Sequence, residues 1–328
     1  MRAWSVDDDT HRLLLGEKPA PEPGPAEIVV KVQACGVCRT DLHVIDADLP
    51  MHIAHVTPGH QVVGTVVEQG ADARLHPIGT RVGVAWLGGT CGVCEWCTSG
   101  RENLCPESTY TGWDSDGGYA EYVSVRQSFA YPLPDDDAPE AIAPLLCAGI
   151  IGFRALSRAQ LPPGGRLGIY GYGSSGHITA QLAKAAGAEI VVMTRGEGNQ
   201  ALARRLGAAF VGGERDQPPS PVDSAIIFAP AGDLVPVALA ATKRGGTVVS
   251  AGIHMSELPP IDYDALLFGE RDLRSVQANT RQDGRQFLQV AHNLGLRPTV
   301  TTYPFEHADR AVDDLRSGRL SGSAVLTM

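Results

Sequence analysis

The stretch RLGIYGYGSSGHITAQLAKAAG, residues 166–187, decides how the second half of the chain folds. It opens with a short apolar run typical of a buried strand, continues with the glycine string GYGSSG, and ends in a helix-forming segment that stops at Gly187. A G-x-G-x-x-G string between a strand and a helix predicts a pyrophosphate at the helix N-terminus, where backbone N–H groups and the helix dipole favour an anion. An ordinary glycine-rich turn is the alternative. The predicted cofactor contacts are Gly171, Gly173, Ser174, Ser175 and Gly176.

Apolar runs alternate with helix-forming segments around this stretch, from about Phe153 onward. Such alternation predicts βαβ units and a parallel sheet, and six strands suit a doubly wound nucleotide-binding fold. The predicted strands are RLGIY (166–170), EIVVMT (189–194), AAFV (208–211), SAIIF (224–228), TVVSAG (247–252) and DLRSVQA (272–278), with helices over 177–187 and 199–207.

The end of the second predicted strand bears on the choice of cofactor. A unit that binds NAD presents Asp or Glu there to the ribose hydroxyls, whereas this chain has Thr194 and Arg195. A guanidinium beside a hydroxyl suits the 2′-phosphate of NADP, and the missing acid removes a repulsion that would exclude it. We therefore expect NADP(H) to be favoured over NAD(H). Two alternatives are that Glu197 turns toward the ribose and that Arg195 is a solvated loop residue.

The first half of the chain has a different pattern, with short strands predicted over 27–34, 61–70 and 81–89 between glycines and prolines. This half is expected to be a β-rich, barrel-like unit. After Gly284, two amphipathic segments (285–295 and 307–318) predict helices, and SAVLTM predicts a last strand.

Composition excludes several classes of protein. The chain has 328 residues, 43% of them hydrophobic, and a formal net charge of −10, so nucleic acid is not an expected partner. The longest apolar run, 144–153, is too short to span a bilayer, and the acidic start is unlike a signal peptide. We therefore expect a cytoplasmic protein without membrane contact, in which seven cysteines point to metal or redox chemistry.

Four of these cysteines lie in the loop CGVCEWCTSGRENLC (91–105), with the spacing C-x2-C-x2-C-x7-C. The loop is short enough for four thiolates to surround one tetrahedral ion, which predicts a structural zinc. A bacterial ferredoxin cluster is the nearest rival, but it needs three residues before its last cysteine. Four unliganded thiols are the remaining alternative. The predicted ligands are Cys91, Cys94, Cys97 and Cys105.

A second constellation combines Cys38 in ACGVCRTDLH with His60 in TPGHQVVG, and Cys147 in PLLCAGIIGF is a candidate third ligand that the fold would have to bring near. Three protein ligands leave zinc an open position, which distinguishes a catalytic site from a structural one. The alternatives are a Cys35–Cys38 redox pair, a turn histidine and a small buried cysteine.

In this order, the motifs CGVCRTDLH, GH (59–60), the four-cysteine loop, PLLCAG and GYGSSG resemble those of the zinc-dependent medium-chain alcohol dehydrogenases over essentially the whole chain. The resemblance implies an α/β fold with a GroES-like catalytic domain (1–150 with 288–328) and a Rossmann nucleotide-binding domain (151–287). It also implies a small-molecule substrate, two zinc ions per chain, and a homodimer or homotetramer.

The resemblance implies a role for each matching residue. Cys38, His60 and Cys147 would hold the catalytic zinc, with Cys35 as a neighbour that is not a ligand. Thr40 would hydrogen-bond the substrate oxygen, and His43 would pass the proton to solvent through the cofactor ribose. Asp41 would orient the histidine ligand. All seven residues are found at the matching motif positions: Cys35, Cys38, Thr40, Asp41, His43, His60 and Cys147.

One position departs from the family, which usually has Glu after the histidine ligand, whereas this chain has Gln61. Two thiolates neutralise Zn²⁺, so a further carboxylate would weaken the metal as a Lewis acid, and Gln61 removes that charge. We expect this to favour carbonyl polarisation and aldehyde reduction, and to slow exchange at the metal. The alternative is that Gln61 only hydrogen-bonds the backbone near the strand start.

The motifs together predict reversible hydride transfer between NADP(H) and an alcohol or aldehyde whose oxygen is on the catalytic zinc. The resemblance implies primary alcohols and aliphatic or aromatic aldehydes as substrates. A zinc-free quinone or enoyl reductase would share the nucleotide fold but would need none of these cysteines. A nucleotide-responsive zinc protein without turnover would have no use for Thr40 and His43.

Overall fold

Seventeen strands and nine α-helices make up the computed structural model, which describes residues 1–328. The strands are β1 (Arg2–Asp7), β2 (Arg12–Glu17), β3 (Glu27–Val37), β4 (Val62–Gln69), β5 (Arg81–Val84), β6 (Leu87–Gly89), β7 (Thr109–Tyr110), β8 (Tyr122–Arg126), β9 (Ala130–Pro132), β10 (Arg166–Tyr170), β11 (Glu189–Met193), β12 (Phe210–Gly212), β13 (Val222–Ile227), β14 (Thr242–Ser250), β15 (Asp272–Ser275), β16 (Val300–Pro304) and β17 (Ser323–Thr327). The helices are α1 (Arg39–Ile45), α2 (Glu95–Thr98), α3 (Pro139–Ile142), α4 (Ala148–Ala159), α5 (Ser174–Ala185), α6 (Glu197–Arg205), α7 (Leu234–Ala241), α8 (Arg281–Asn293) and α9 (Ala308–Arg316).

These elements divide into two units. Unit 1 comprises Met1–Cys147, Ala278–Leu288 and Val300–Met328. Unit 2 comprises Ala148–Gln277 and Gln289–Thr299, so the chain passes from one unit to the other within α8. The functional domains expected from the sequence, 1–150 with 288–328 and 151–287, have slightly different bounds and stay predictions.

Unit 2 contains a six-stranded sheet in the order β12-β11-β10-β13-β14-β15, with every neighbouring pair parallel. Apolar side chains of the strands are buried on both faces of the sheet, which parallel strands covered by crossover helices require. The strand order reverses between β10 and β13, and in such sheets ligands bind at the carboxyl ends of the strands beside this point. The expected α/β fold class, with a doubly wound sheet, is confirmed.

Unit 1 is built on an antiparallel sheet in the order β16-β17-β3-β4-β5-β9, with β8 paired to β3 and one parallel pair, β16 with β17. The long strand β3 is central, and apolar residues from β3, β4 and β5 form its core with Trp4, Tyr119 and Phe305. The expected β-rich unit is therefore present. The tail helix α9 and strand β17 belong to this same unit.

Some element bounds differ from the predicted ones. The run 81–89, predicted as one strand, is two strands separated at Ala85 and Trp86. The helix predicted over 177–187 begins earlier, at Ser174, and ends before Gly187, whose φ of 90° is outside the helical region. The predicted strand 272–278 ends at Ser275.

No single helix is both long and apolar enough to cross a membrane, and the helical stretches 139–146 and 148–159 meet that test only together, as a bent pair.

Candidate active site

The pairing of two strands brings Cys38 and His60 together. Cys38 directly follows β3, and His60 lies just before β4. The strands pair antiparallel with Cys35 opposite Val62, so the end of one and the start of the other lie side by side. As a result, Cys38 Sγ lies 3.2 Å from His60 Nε2.

Cys147 reaches the same place from a later part of unit 1. A 3-10 helix, Ala143–Leu146, leads to it and packs so closely on β5 that a Cβ at Gly83 would lie 2.5 Å from Leu146 Cδ2. The candidate ligand atoms of Cys38, His60 and Cys147 all lie within 4.8 Å of one another. Ligand sulfur and nitrogen atoms at such separations fit one tetrahedral zinc ion with a fourth, open position.

Asp41 contacts the ring nitrogen of His60 that does not face Cys38. Its Oδ1 lies 3.2 Å from His60 Nδ1, and both side chains are buried. Its Oδ2 accepts hydrogen bonds from the Cys38 backbone N–H at 2.8 Å and from the Tyr119 hydroxyl at 3.2 Å. A carboxylate on one ring nitrogen directs the other nitrogen toward a metal. Tyr119, far away in the sequence, had no motif that would have indicated this contact.

The electrostatics of the cluster favour a cation. Burial lowers the pKa of His60, but Cys38 and the Asp41 carboxylate outweigh it and raise that pKa to about 10. A hydrogen bond with Cys147 and burial raise the pKa of the Cys38 thiol well above its usual value, so a thiolate ligand at this place would need a cation such as zinc beside it. Burial raises the pKa of the neighbouring Cys35 thiol well above its usual value, and its Sγ lies 3.6 Å from the Gly36 carbonyl oxygen.

Gln61 is buried next to this cluster, with 1% of its surface exposed. Its side chain packs against the backbone of β3, where a Cβ at Gly36 would lie 2.8 Å from the Gln61 amide oxygen. The amide nitrogen is buried and has no hydrogen-bond partner. The amide nitrogen therefore donates no hydrogen bond to the backbone.

Helix α1 carries Thr40 and His43, and both side chains are buried. Residues three apart lie on the same helix face, so their polar groups point the same way. His43 Nδ1 lies 2.8 Å from Asp48 Oδ2, just beyond the end of the helix. Asp48 was not among the residues expected from the sequence.

Aromatic rings adjoin the cluster within unit 1. Trp86 meets His60 edge to face, with 4.9 Å between ring centroids. Tyr110 and Trp113 stack on Trp86 at 4.9 and 5.9 Å, and His52 stacks on Trp113 at 4.2 Å. The pairing of β6 with β7, in which Leu87 lies opposite Tyr110, brings Tyr110 beside Trp86. This aromatic wall (His52, Trp86, Tyr110, Trp113) offers flat apolar surface beside the candidate metal ligands.

The four-cysteine loop folds around one point. The Sγ atom of Cys91 lies 4.0 Å from that of Cys97 and 3.6 Å from that of Cys105, while a tetrahedral zinc with bonds of about 2.3 Å separates its sulfur ligands by about 3.8 Å. All four ligand atoms lie within 4.8 Å of one another. Backbone N–H groups of Val93 and Cys94 lower the pKa of Cys91 to about 7, which favours the thiolate that zinc requires.

An ion pair anchors this loop to the start of α8. Arg281 donates from Nε and Nη2 to the carboxylate of Glu102 at 3.0 and 2.6 Å, and its backbone N–H donates at 2.7 Å. The guanidinium also lies over the Phe129 ring, 4.4 Å from its centroid. The pKa of Glu102 is lowered because these bonds outweigh its burial. Nothing in the sequence indicated this pair, whose members are far apart along the chain.

The glycines of unit 2 fit a dinucleotide. Gly171 has φ of 89°, which a side chain rarely adopts, and a Cβ there would lie 2.9 Å from the Ala229 nitrogen. A Cβ at Gly173 would meet nothing within 4 Å, so the helix N-terminus is open to a phosphate. At Gly176 a Cβ would lie 2.4 Å from the Gly171 oxygen, so this glycine permits close packing of α5 on β10. Ser174 and Ser175 form the first turn of that helix.

The two residues after β11 differ in exposure. Thr194 is buried, and its hydroxyl accepts a hydrogen bond from the Tyr172 backbone N–H at 3.2 Å. Its hydroxyl is therefore already used to hold the glycine-rich turn. The Arg195 side chain is 82% exposed, and its Nε lies 4.0 Å from a Glu214 carboxylate oxygen. Glu214 was missed because it follows a different strand, β12.

Comparisons with known proteins agree with this geometry. Residues 24–135 match the family described as "Alcohol dehydrogenase GroES-like domain", and residues 176–293 match "Zinc-binding dehydrogenase". A cinnamyl alcohol dehydrogenase from Sorghum bicolor has a similar structure, with a TM-score of 0.92, 28% identity, and coverage of 99% of this chain and 97% of that one.

Two curated relatives extend over nearly the full chain. The protein named probable alcohol dehydrogenase AdhA from Mycobacterium tuberculosis is 53% identical over 99% of this chain and 97% of its own length. An alcohol dehydrogenase from Geobacillus stearothermophilus is 34% identical over 100% of this chain and 99% of its own. The expected family is thereby confirmed: the chain is an oxidoreductase that belongs to the zinc-dependent medium-chain alcohol dehydrogenases.

Proposed function

We propose that this enzyme interconverts primary alcohols and aldehydes, that it prefers NADP(H) to NAD(H), and that it holds two zinc ions per chain. The observation that carries the proposal is the cluster of Cys38, His60 and Cys147, whose ligand atoms lie within 4.8 Å of one another. Asp41 contacts the Nδ1 atom of His60 and leaves its Nε2 atom toward the cluster. Cys91, Cys94, Cys97 and Cys105 are the proposed ligands of the second, structural zinc.

Cys38, His60 and Cys147 would hold a zinc ion that would supply Lewis acidity toward the substrate oxygen, and a bound nicotinamide would supply the hydride chemistry. Asp41 keeps His60 oriented through its 3.2 Å contact with Nδ1. The Thr40 hydroxyl is the proposed hydrogen-bond partner of the substrate oxygen, and His43 is the proposed proton acceptor in alcohol oxidation. Both side chains are buried, and His43 contacts Asp48, which is 44% exposed.

The cofactor is proposed to lie with its pyrophosphate on the N-terminus of α5, at Gly171, Gly173, Ser174, Ser175 and Gly176. Arg195 is the proposed partner of the 2′-phosphate, because its guanidinium is exposed and no acid follows β11 directly. The buried hydroxyl of Thr194 supports the turn, so its proposed contribution to cofactor choice is indirect.

The aromatic wall supports substrates with a flat apolar body, such as aromatic aldehydes, alongside aliphatic ones. The relative from Sorghum bicolor is itself named a cinnamyl alcohol dehydrogenase, which agrees with this choice.

We also propose a homodimer or homotetramer formed partly by unit 2, where Tyr263 and Phe268 are 61% and 67% exposed. Light scattering would test the assembly.

Initial rates of NADPH and NADH oxidation with benzaldehyde test the proposed reaction, on protein of known zinc content before and after a chelator. We expect a clear preference for NADPH and loss of turnover when the zinc is removed. Preference for NADH would overturn the cofactor choice alone. No turnover with either cofactor at two zinc ions per chain would contradict the proposed reaction.

Replacing Arg195 by Ala should weaken NADPH binding by about tenfold and leave NADH binding nearly unchanged, because an exposed charge-assisted contact to phosphate contributes about 1.4 kcal/mol. Quenching of protein fluorescence measures both dissociation constants. Arg205→Ala, on the exposed face of α6, is the matched control. An equal loss of affinity for NADPH and NADH would show that Arg195 does not bind the 2′-phosphate.

Gln61→Glu should lower kcat/KM for aldehyde reduction by about three- to tenfold, because a buried carboxylate beside the cluster would weaken the metal as a Lewis acid. The variant should also lose zinc faster during dialysis against a chelator, since we expect ligand exchange at the metal to be faster than in the wild type. Gln69→Glu, at the far end of β4, controls for the added charge. Unchanged kinetics in both directions together with unchanged zinc retention would contradict this role.

A further inference from the structure

A buried histidine directly after the glycine-rich turn has no part in the proposed reaction. His177 lies in α5 and is 0% exposed. Its ring nitrogen Nδ1 lies 3.0 Å from the Gly173 carbonyl oxygen, and its Nε2 accepts a hydrogen bond from the Thr299 backbone N–H at 3.0 Å. All three residues belong to unit 2, although Thr299 is 122 residues away from His177 in the sequence. The imidazole therefore joins the turn to a distant segment of the same unit.

The two partners fix the protonation state of this ring. A backbone N–H only donates a hydrogen bond and a carbonyl oxygen only accepts one, so Nε2 has the lone pair and Nδ1 has the proton. Burial lowers the pKa of His177 to about 4, although its contacts with the backbone of Gly173 and Ser174 act in the opposite direction. The ring is therefore neutral near neutral pH, and the bond from Thr299 keeps the proton on the nitrogen that faces Gly173.

Gly173 is the residue through which this contact reaches the cofactor site. It is the N-cap of α5, and a glycine has no side chain that would restrict its backbone. Its carbonyl oxygen accepts the backbone N–H of His177 at 3.1 Å, and the bond from Nδ1 is a second restraint on the same oxygen. Because a peptide group is planar, fixing this oxygen also fixes the direction of the Ser174 N–H, which is bonded to the same carbonyl carbon.

We propose that His177 is a positioning residue for cofactor binding: through Gly173 it holds the Ser174 N–H in the direction in which a pyrophosphate is bound. This inference rests on the proposed function, in which the pyrophosphate lies at the N-terminus of α5. A Cβ at Gly173 would meet nothing within 4 Å, so the space beside this peptide group is open to a phosphate. A turn that is ordered beforehand loses less conformational entropy on binding, which raises the affinity.

His177→Gln tests the contact with Gly173. The amide of glutamine takes the place of Nε2 and still accepts the Thr299 N–H, but nothing replaces the donor at Nδ1. We expect the affinities for NADPH and NADH to fall by the same factor, about three- to tenfold, because one hydrogen bond is lost and both cofactors have the pyrophosphate. Quenching of protein fluorescence measures both dissociation constants. The kcat at saturating cofactor should change by less than about twofold, since the loss is in binding.

His177→Asn tests the other end of the ring. The amide of asparagine is one bond closer to the backbone, so it takes the place of Nδ1 and leaves the Thr299 N–H without its partner. The cofactor dissociation constants should rise by less than about twofold, while the melting temperature should fall below that of His177→Gln. A merely structural residue would give the reverse order, with the weaker affinity in the less stable variant.

His76→Gln is the matched control. His76 is also buried, and its Nε2 donates to the Gln127 carbonyl oxygen at 3.0 Å, but it lies in unit 1. This variant should bind both cofactors as the wild type does. ADP-ribose has the pyrophosphate without the nicotinamide, so His177→Gln should weaken its binding by the same factor as that of NADPH.

Two results would overturn the proposal: wild-type cofactor affinity in His177→Gln, or a loss confined to NADPH, which would place the effect at the 2′-phosphate. If His177→Gln does not fold, His177→Asn decides. Affinity near that of the wild type with a lower melting temperature supports the proposal, and a larger loss of affinity overturns it. A wild-type protein that binds neither NADPH nor NADH would overturn the proposed function instead, and this inference with it.

Discussion

His60→Ala is expected to lower turnover of alcohol and aldehyde by at least about a thousandfold and to reduce the zinc content from two ions per chain to one. The substitution removes the buried one of three candidate ligands from a partly exposed cluster, and two thiolates alone would not hold the ion in a fixed geometry. Turnover and zinc content are measured on the same preparation, with thermal unfolding as a check that the chain is folded.

The control is His55→Ala, because the side chain of His55 is 66% exposed and lies in the same stretch of chain before β4. That variant should keep both zinc ions and full turnover. If His60→Ala retains two zinc ions and activity, the cluster of Cys38, His60 and Cys147 is not the catalytic metal site.

Cys105→Ser should produce the largest loss of stability, because the four-cysteine loop has little structure of its own. Within residues 91–105 the regular structure is one four-residue helix and one 3-10 turn, so metal ligation must replace secondary structure. Cys105 is 3% exposed, and a hydroxyl there would bind zinc poorly. We expect loss of one zinc ion per chain and a fall of at least about 3 kcal/mol in the free energy of unfolding, a fraction of the binding energy of structural zinc.

Calorimetry and zinc analysis measure this loss, and cleavage after Arg101 by trypsin reports whether the loop has opened. Val93→Ser is the control in the same loop, since Val93 is 82% exposed and is not a candidate ligand. A Cys105→Ser protein with wild-type stability and two zinc ions would show that the loop is not a zinc site.

Much of the fold was predictable because its signals are local. The run RLGIY followed by GYGSSG predicts a strand, a turn and a helix from adjacent residues, and the structure has β10, the turn and α5 there. The spacing of the loop 91–105 likewise constrains its four sulfur atoms within a short stretch. The motifs that resemble the family also placed Cys38, His60 and Cys147 in one cluster.

The parts that the sequence did not predict depend on pairs distant along the chain or on backbone conformation. Arg281 reaches Glu102 only because the chain returns to unit 1 before α8. Tyr119 reaches Asp41 across the core, with the residues far apart in sequence. Asp48 is close to His43 in sequence, but its contact depends on the left-handed turn at Ala47, and alanine carries no signal for that conformation. Glu214 approaches Arg195 through the order of strands β11 and β12.

Stepwise removal of zinc, with turnover and zinc content read on the same samples, tests the central claim most directly. The partly exposed cluster of Cys38, His60 and Cys147 and the four-cysteine loop can be told apart by carrying Cys105→Ser through the same titration. We predict that turnover falls in proportion to the zinc lost from the cluster of Cys38, His60 and Cys147, and that it returns when zinc is added back. Loss of zinc from the four-cysteine loop should not change the rate as long as the chain stays folded. Full turnover in protein that has lost the zinc of Cys38, His60 and Cys147 would contradict the account.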